Sequence, residues 1–162
     1  MTGEAQAARP LGVMHVEQEV TINAPPARVF DAITKEMAAW WGPPQIIDEE
    51  RARDVVLEPT LGGRVYEDWG NGEGAIWATV TRIKRGEYLE LTGRLGTRGA
   101  VLGVIAFSLQ PKGQGTLLRL SHRAVGEVTP ETEANYTRGW WDLLDRRLRA
   151  FVERGERLGL QR

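Results

Sequence analysis

The chain contains no cysteine among its 162 residues. Disulfides, thiolate metal sites and a cysteine nucleophile are therefore excluded, and the absence fits a reducing compartment. There are only 2 histidines, His15 and His122, too few without cysteine for a structural zinc site. No apolar run approaches the roughly 20 residues of a membrane-spanning helix, and the first residues lack the apolar stretch of a signal peptide. We expect a cytoplasmic protein without membrane insertion, metal or cofactor.

The chain also has no large excess of either charge, since it contains 21 lysines and arginines and 22 aspartates and glutamates. This balance gives no basic surface for nucleic acid, which we exclude as a partner. The content of 41% hydrophobic and 27% charged residues is that of a globular protein, and the length suits one domain. We expect a flexible leader at 1–12, a single domain at 13–154 and a C-terminal tail at 155–162.

Hydrophobic periodicity predicts the elements of this domain. Alternating residues predict a strand over 13–24, and three- to four-residue spacing predicts one or two short helices over 27–41. Glycine-rich turns, among them GNGEG at 70–74, divide the central part into six strands, at 54–59, 64–69, 75–83, 88–95, 100–110 and 116–125. Thr129 as N-cap and Pro130 at the first position begin a long helix that ends near residue 154.

These elements predict an α+β domain in which a curved antiparallel sheet wraps around the long C-terminal helix. Because that helix carries Tyr136 and Trp140 on its apolar stripe, the sheet cannot close tightly on it. The space between them is the natural place for a ligand cavity. GNGEG could instead cradle a phosphate, but it lacks the lysine and hydroxyl residue of a P-loop, so a hairpin turn is favoured.

The order of strand, helices, six strands and helix is that of the helix-grip (START/Bet v-like) fold. Four segments resemble the SRPBCC (START-like) superfamily, and within it the bacterial, single-domain homologues of the Aha-type activator of the heat-shock-protein ATPase: INAPPARVFDAIT at 22–34, WWGPP at 40–44, the hairpin region 62–93 and GWWDLLDRRLRAFVE at 139–153. The resemblance implies a domain that binds a small hydrophobic or aromatic molecule or lipid. A polyketide cyclase-like or hydrolase-like enzyme and a chaperone-associated interaction module, with a chaperone or homodimer partner, stay alternatives.

Two titratable side chains are candidates for catalysis or for orienting a ligand's polar group. His122 shares its strand parity with Leu118 and Leu120, so it faces the interior, as a hydrogen-bonded core residue or as an acid–base group. Glu67 shares its parity with Trp69, so it points inwards or, alternatively, forms a surface salt bridge. Arg94 is a further candidate for orienting a ligand.

Tryptophans occur as two adjacent pairs, at 40–41 and 140–141. Neighbouring helical residues lie about 100° apart, so one of each pair can face the core while the other is turned aside, and the apolar stripe selects Trp140 over Trp141. That these aromatic side chains only fill the core stays an alternative. We expect the cavity to be lined by the following residues: Trp40, Trp41, Trp69, Trp77, Phe107, His122, Tyr136, Trp140 and Leu144.

Overall fold

The computed structural model describes residues 10–161. Its strands are β1 (Gly12–Ile22), β2 (Asp54–Leu57), β3 (Arg64–Gly70), β4 (Glu73–Lys84), β5 (Tyr88–Thr92), β6 (Val101–Lys112) and β7 (Gly115–Gly126). Its helices are α1 (Pro26–Lys35), α2 (Met37–Trp40), α3 (Pro130–Trp141) and α4 (Arg149–Arg154), and a π-helical segment, Asp142–Leu148, joins α3 to α4. Most of the predicted leader, residues 1–9, lies outside the described residues. None of the described helices is long and apolar enough to cross a membrane.

All strands belong to one curved antiparallel sheet with the order β1-β7-β6-β5-β4-β3-β2. The predicted α+β helix-grip architecture, with six strands between the short helices and the C-terminal helix, is confirmed. The turn between β3 and β4 places both Asn71, at φ 57°, and Gly72, at φ 76°, in the left-handed region. Two such residues make the tight hairpin turn whose twist matches the strands, so the GNGEG segment is a hairpin, as predicted.

The long C-terminal helix departs from the expected α-helix in its middle. Thr129 caps α3 as predicted, through its hydroxyl and the Thr132 backbone N–H, but residues 142–148 are π-helical. In an α-helix, residues five apart lie about 140° apart around the axis, whereas a π-turn bonds residue i to i+5. The π-segment thereby brings Arg147 Nε within 2.8 Å of Asp142 Oδ2. The α-helical periodicity of the apolar stripe could not predict this change.

The chain after α4 packs against α2. Gly159 and Leu160 donate backbone hydrogen bonds to the carbonyls of Ala39 and Ala38, each at 3.0 Å. A Cβ at Gly42 would lie 2.5 Å from the carbonyl carbon of Gly159, so a side chain at residue 42 would push this segment away. The glycine after the first tryptophan pair is therefore required by a close backbone approach. This contact joins the chain that follows the C-terminal helix to α2.

Candidate functional site

A cleft of about 1290 Å³ lies between the C-terminal helix and one end of the sheet. Four segments line it: the α2–β2 loop around 41–47, the first half of β4, the β5–β6 loop at 94–99, and the inner face of α3 with the π-segment. Small-molecule sites usually enclose about 300–1,000 Å³, so this cleft has room for a ligand of several rings. It occupies the place between helix and sheet that the sequence predicts.

The apolar wall of the cleft is a cluster of tryptophans centred on Trp41. The ring of Trp41 lies 5.2 Å from that of Trp77 and 5.5 Å from that of Trp140, between ring centroids. Its contact with Trp140 is edge-to-face, the arrangement that aromatic pairs prefer. Trp41, Trp77 and Trp140 are contributed by a loop, a strand and a helix, so the tertiary fold alone brings them together.

The two members of the first tryptophan pair have different roles. Trp40 is buried behind the cleft wall, and its indole N–H donates to the Ala32 carbonyl at 3.0 Å, which ties α2 to α1. Trp41 lines the cleft, and its indole N–H donates to the Gln45 carbonyl at 2.6 Å. The second hydrogen bond holds the ring against the turn of its own loop.

The second pair divides in the way that the apolar stripe predicts. Trp140 is 2% exposed and lines the cleft, whereas Trp141 is 54% exposed and lies outside it. Gly139, the residue before the pair, also lines the cleft. The nearest atom to a Cβ placed at Gly139 would be Gln45 Cγ at 3.8 Å, an ordinary contact. A side chain would therefore fit at residue 139, and its absence leaves the cleft open at this turn of α3.

His122 is a buried, hydrogen-bonded core residue. It is 1% exposed, and its Nδ1 accepts a hydrogen bond from the indole N–H of Trp140 at 3.0 Å. Accepting at Nδ1 requires the neutral tautomer with the proton on Nε2. Burial lowers the pKa of His122 to about 4, which keeps the ring neutral at neutral pH. The imidazole packs behind Trp140 and Tyr136, so it positions the aromatic wall.

Glu67 is fully buried at 0% exposure, so the surface salt bridge considered as its alternative is wrong. Its carboxylate accepts hydrogen bonds from the backbone N–H groups of Ile47, at 2.7 Å, and Asp48, at 2.8 Å. The indole N–H of Trp69 donates to the same carboxylate at 3.0 Å. Glu67 therefore anchors the loop that carries Ile46 and Ile47 into the cleft wall, and it does not itself line the cleft.

The predicted lining residues separate into two groups. Trp41, Trp77, Tyr136 and Trp140 line the cleft. The other five do not line it: Trp40, Trp69, Phe107, His122 and Leu144. Phe107 supports Trp140 edge-on at 5.8 Å, and Trp69 contacts Glu67 rather than a cavity. Residue spacing indicates which face of a strand or helix is buried, but it does not distinguish a cavity wall from the surrounding core.

Sequence patterns pointed to only one of the three exposed arginines in the lining, Arg94, and missed Arg98 and Arg138. Arg94 and Arg98 come from the β5–β6 loop and Arg138 from α3, and all three side chains are exposed. Within residues 10–161 none of the three forms an ion pair: Arg94 donates to the Gly99 carbonyl at 3.1 Å, and Arg138 to the side chain of Asn135. We call these three residues the arginine rim. Arg94, considered above as a candidate for orienting a ligand, is one of them.

The acidic group in the cleft lining is already neutralised. Asp142 accepts from Arg146 at 2.5 Å and from Arg147 at 2.8 Å. Arg147 is buried and also donates to the carbonyls of Pro43, at 2.6 Å, and Leu158, at 2.9 Å. It thereby joins the π-segment to the α2–β2 loop and to the C-terminal chain. Among the described residues no cluster of histidine, aspartate or glutamate could hold a metal ion.

Two further features of the lining are energetically costly. Leu95 holds a positive φ of 50° and is buried in the β5–β6 loop. A bulky residue in this region is strained, and such strain is concentrated at functional sites. The buried indole N–H of Trp77 and the side-chain carbonyl of Gln45 have no hydrogen-bond partner within the described residues. Buried polar groups are normally satisfied, so both groups mark places where a ligand atom could bind.

The chain was compared with models of known protein families. The family model described as "Activator of Hsp90 ATPase homolog 1-like protein" matches residues 23–153. That range begins just after β1, ends within α4 and includes every segment of the cleft lining. No curated protein sequence matches the chain.

Solved structures share this fold at low sequence identity. A protein in the dynemicin biosynthetic locus is 20% identical with a TM-score of 0.68, covering 88% of this chain and 48% of that one, so this chain spans about half its length. An uncharacterized protein from Rhizobium leguminosarum is 19% identical with a TM-score of 0.69, and the match covers 90% of this chain and 97% of that chain. The Aha1 dimer from Colwellia psychrerythraea is 19% identical with a TM-score of 0.61, and the match covers 88% of this chain and 98% of that chain. At these identities the likeness shows the fold alone.

Proposed function

The chain belongs to the Activator of Hsp90 ATPase homolog 1-like family, and we propose that it acts as a binding domain for a small apolar or aromatic molecule, which occupies the cleft. The observation that carries this proposal is the wall formed by Trp41 and its two neighbours, Trp77 and Trp140, along a cleft of about 1290 Å³. Removal of apolar ligand surface from water supplies roughly 25 cal/mol per Å². Flat indole rings present such surface without losing much side-chain entropy.

Binding is favoured over catalysis by the placement of the two candidate acid–base groups. His122 is covered by Trp140, to which it is hydrogen bonded, and Glu67 is occupied by three donors. A general base must come within hydrogen-bond reach of the proton that it removes. Neither side chain lines the cleft, so the cyclase-like alternative gains no support from them.

Titration with a neutral apolar dye, N-phenyl-1-naphthylamine, tests the proposal. Its emission should rise and saturate at about one dye per protein as it enters the cleft. Gly139→Leu places a side chain where the cleft is open and should weaken binding at least about tenfold, a loss that corresponds to about 1.4 kcal/mol. The matched control is Ala134→Leu, an exposed residue of α3 that lies outside the lining. No saturable binding to wild type, or equal losses in both variants, would contradict the proposal.

A second candidate is self-association through the outer face of the sheet. Val13, Val125 and Leu102 are exposed, and they are neighbours in register across β1, β7 and β6. A row of apolar side chains at the surface is typical of an interface, and the relative from Colwellia psychrerythraea is described as a dimer. Analytical ultracentrifugation should then find a dimer for wild type and a monomer for Val125→Glu. A monomeric wild type at 100 µM or above would exclude this candidate.

A further inference from the structure

We propose that the ligand of the cleft is an aromatic acid, in which an apolar ring system carries one anionic oxygen group that pairs with the arginine rim. This inference rests on the proposed binding function and specifies the class of molecule bound. The apolar body would lie against Trp41, Trp77 and Trp140, and the acid group would face Arg94, Arg98 and Arg138.

Charge is the first support. Arginine guanidinium groups present a planar fork of donors that matches carboxylate and phosphate oxygens. The rim brings three of them from two separate segments to one cleft, and no carboxylate within the described residues pairs with any of them. The carboxylate of Asp142 is already shared by Arg146 and Arg147. The cleft therefore has a net positive charge, although the whole chain has a formal net charge of −1.

A second, independent observation comes from the buried part of the wall. Trp77 is 2% exposed and lines the cleft, yet its indole N–H has no acceptor within residues 10–161. A buried donor without a partner costs about as much as the hydrogen bond that it lacks. An indole can only donate, so the group that satisfies it must be an acceptor. Oxygen atoms of an acidic aromatic ligand are such acceptors, whereas a pure hydrocarbon would leave the donor unpaired.

The alternative explanation is that the rim arginines are ordinary solvated surface residues. Isolated surface cations are common, and many contribute nothing to binding. The experiment must therefore separate a charge effect at the cleft from the general effect of removing three positive charges. The chain offers a matched control in Arg82, Arg85 and Arg123, which are exposed on β4, the β4–β5 turn and β7 and lie outside the cleft lining.

Isothermal titration calorimetry with ligands that share one ring system provides the test. 2-Naphthoate and 2-naphthyl phosphate carry the acid group, and 2-naphthamide is the neutral probe of nearly the same shape as the carboxylate. Wild type should bind at least one of the two acids about tenfold more tightly than the amide, as two or three partly exposed charge pairs would give. Raising NaCl from 0.05 to 0.5 M should reduce this preference, because the salt screens charges at shorter range. The acid that binds more tightly identifies the acidic group.

In the R94Q/R98Q/R138Q variant the preference for the acid should fall below threefold because the affinity for the acids drops, while saturable binding of 2-naphthamide shows that the cleft is still folded. The R82Q/R85Q/R123Q variant removes the same charge and should keep the wild-type preference. Equal affinities of wild type for acid and amide would overturn the inference, as would equal losses in the two variants. Failure of all three probes to bind would instead contradict the proposed binding function itself.

Discussion

Replacement of Glu67 by glutamine separates a structural role for this residue from a catalytic one. The side chain keeps its size, but one oxygen becomes an NH₂ group that cannot accept a hydrogen bond. Oε1 accepts from Asp48 N–H and the Trp69 indole, and Oε2 accepts from Ile47 N–H. The glutamine amide can be oriented in two ways. In the orientation that keeps more hydrogen bonds, its oxygen takes the place of Oε1 and still accepts from Asp48 and Trp69. The NH₂ group then takes the place of Oε2, so the Ile47 N–H faces another donor.

The expected cost has two parts. An unsatisfied buried N–H costs about 1–3 kcal/mol, and the two remaining bonds lose the strength that the charged acceptor gave them. We therefore expect the free energy of unfolding to fall by about 2–4 kcal/mol, measured by urea denaturation. Hydrogen exchange should accelerate at the amides of Ile47 and Asp48, because the loop that forms one wall of the cleft loses its anchor.

Glu19→Gln is the control, because Glu19 forms a surface ion pair with Arg119 and surface substitutions change stability by about 0.5 kcal/mol or less. If Glu67→Gln were as stable as wild type and exchanged these two amides at the wild-type rate, the anchoring role would be refuted.

Three further predictions concern the glycines, the buried histidine and the buried arginine. Gly42→Ala should lower the free energy of unfolding by about 1–3 kcal/mol, because the added Cβ would lie 2.5 Å from the carbonyl carbon of Gly159. Gly139→Ala should instead stabilise α3 by up to about 1 kcal/mol. Similar urea midpoints for the two variants would contradict this difference. Burial in the folded state lowers the pKa of His122 from its usual 6.5 to about 4. Between these two pH values the unfolded chain protonates the imidazole and the folded protein does not. The free energy of unfolding should therefore be unaffected by this group above pH 6.5 and should fall by about 3 kcal/mol as the pH drops to 4. His122→Gln should lose that part of the pH dependence, and an unchanged profile would refute the assignment. Arg147→Met leaves three acceptors without their donor and should cost about 3–5 kcal/mol in urea denaturation; a loss below 1 kcal/mol would show that this network is not stabilising.

Local patterns were sufficient to predict the fold. Alternation along the strands, the glycine-rich turns and the Thr129–Pro130 helix start are each encoded within a few residues, and the structure has the corresponding elements. The apolar stripe of the C-terminal helix also selects Trp140 over Trp141. These features depend on which face of an element is buried, and that is what residue spacing reports.

The candidate site could be predicted only in part, because its geometry depends on residues far apart in the chain. Glu67 bonds to backbone groups about 20 positions earlier, and Arg147 contacts Pro43, 104 positions away. The arginine rim draws its residues from two segments, the β5–β6 loop and α3, which lie about forty residues apart in the chain. The π-segment pairs Asp142 with Arg147, five residues on, a spacing that the apolar stripe does not report. No local pattern carries this information.

The indole N–H resonances of the six tryptophans would report, residue by residue, whether a ligand occupies the cleft. The protein, labelled with ¹⁵N, would be titrated with 2-naphthamide and 2-naphthoate. Binding in the cleft predicts saturable shifts for Trp41, Trp77 and Trp140, with the unpartnered N–H of Trp77 moving downfield, while exposed Trp141 stays in place. Saturable shifts confined to Trp141, or no saturable shift at all, would contradict the account.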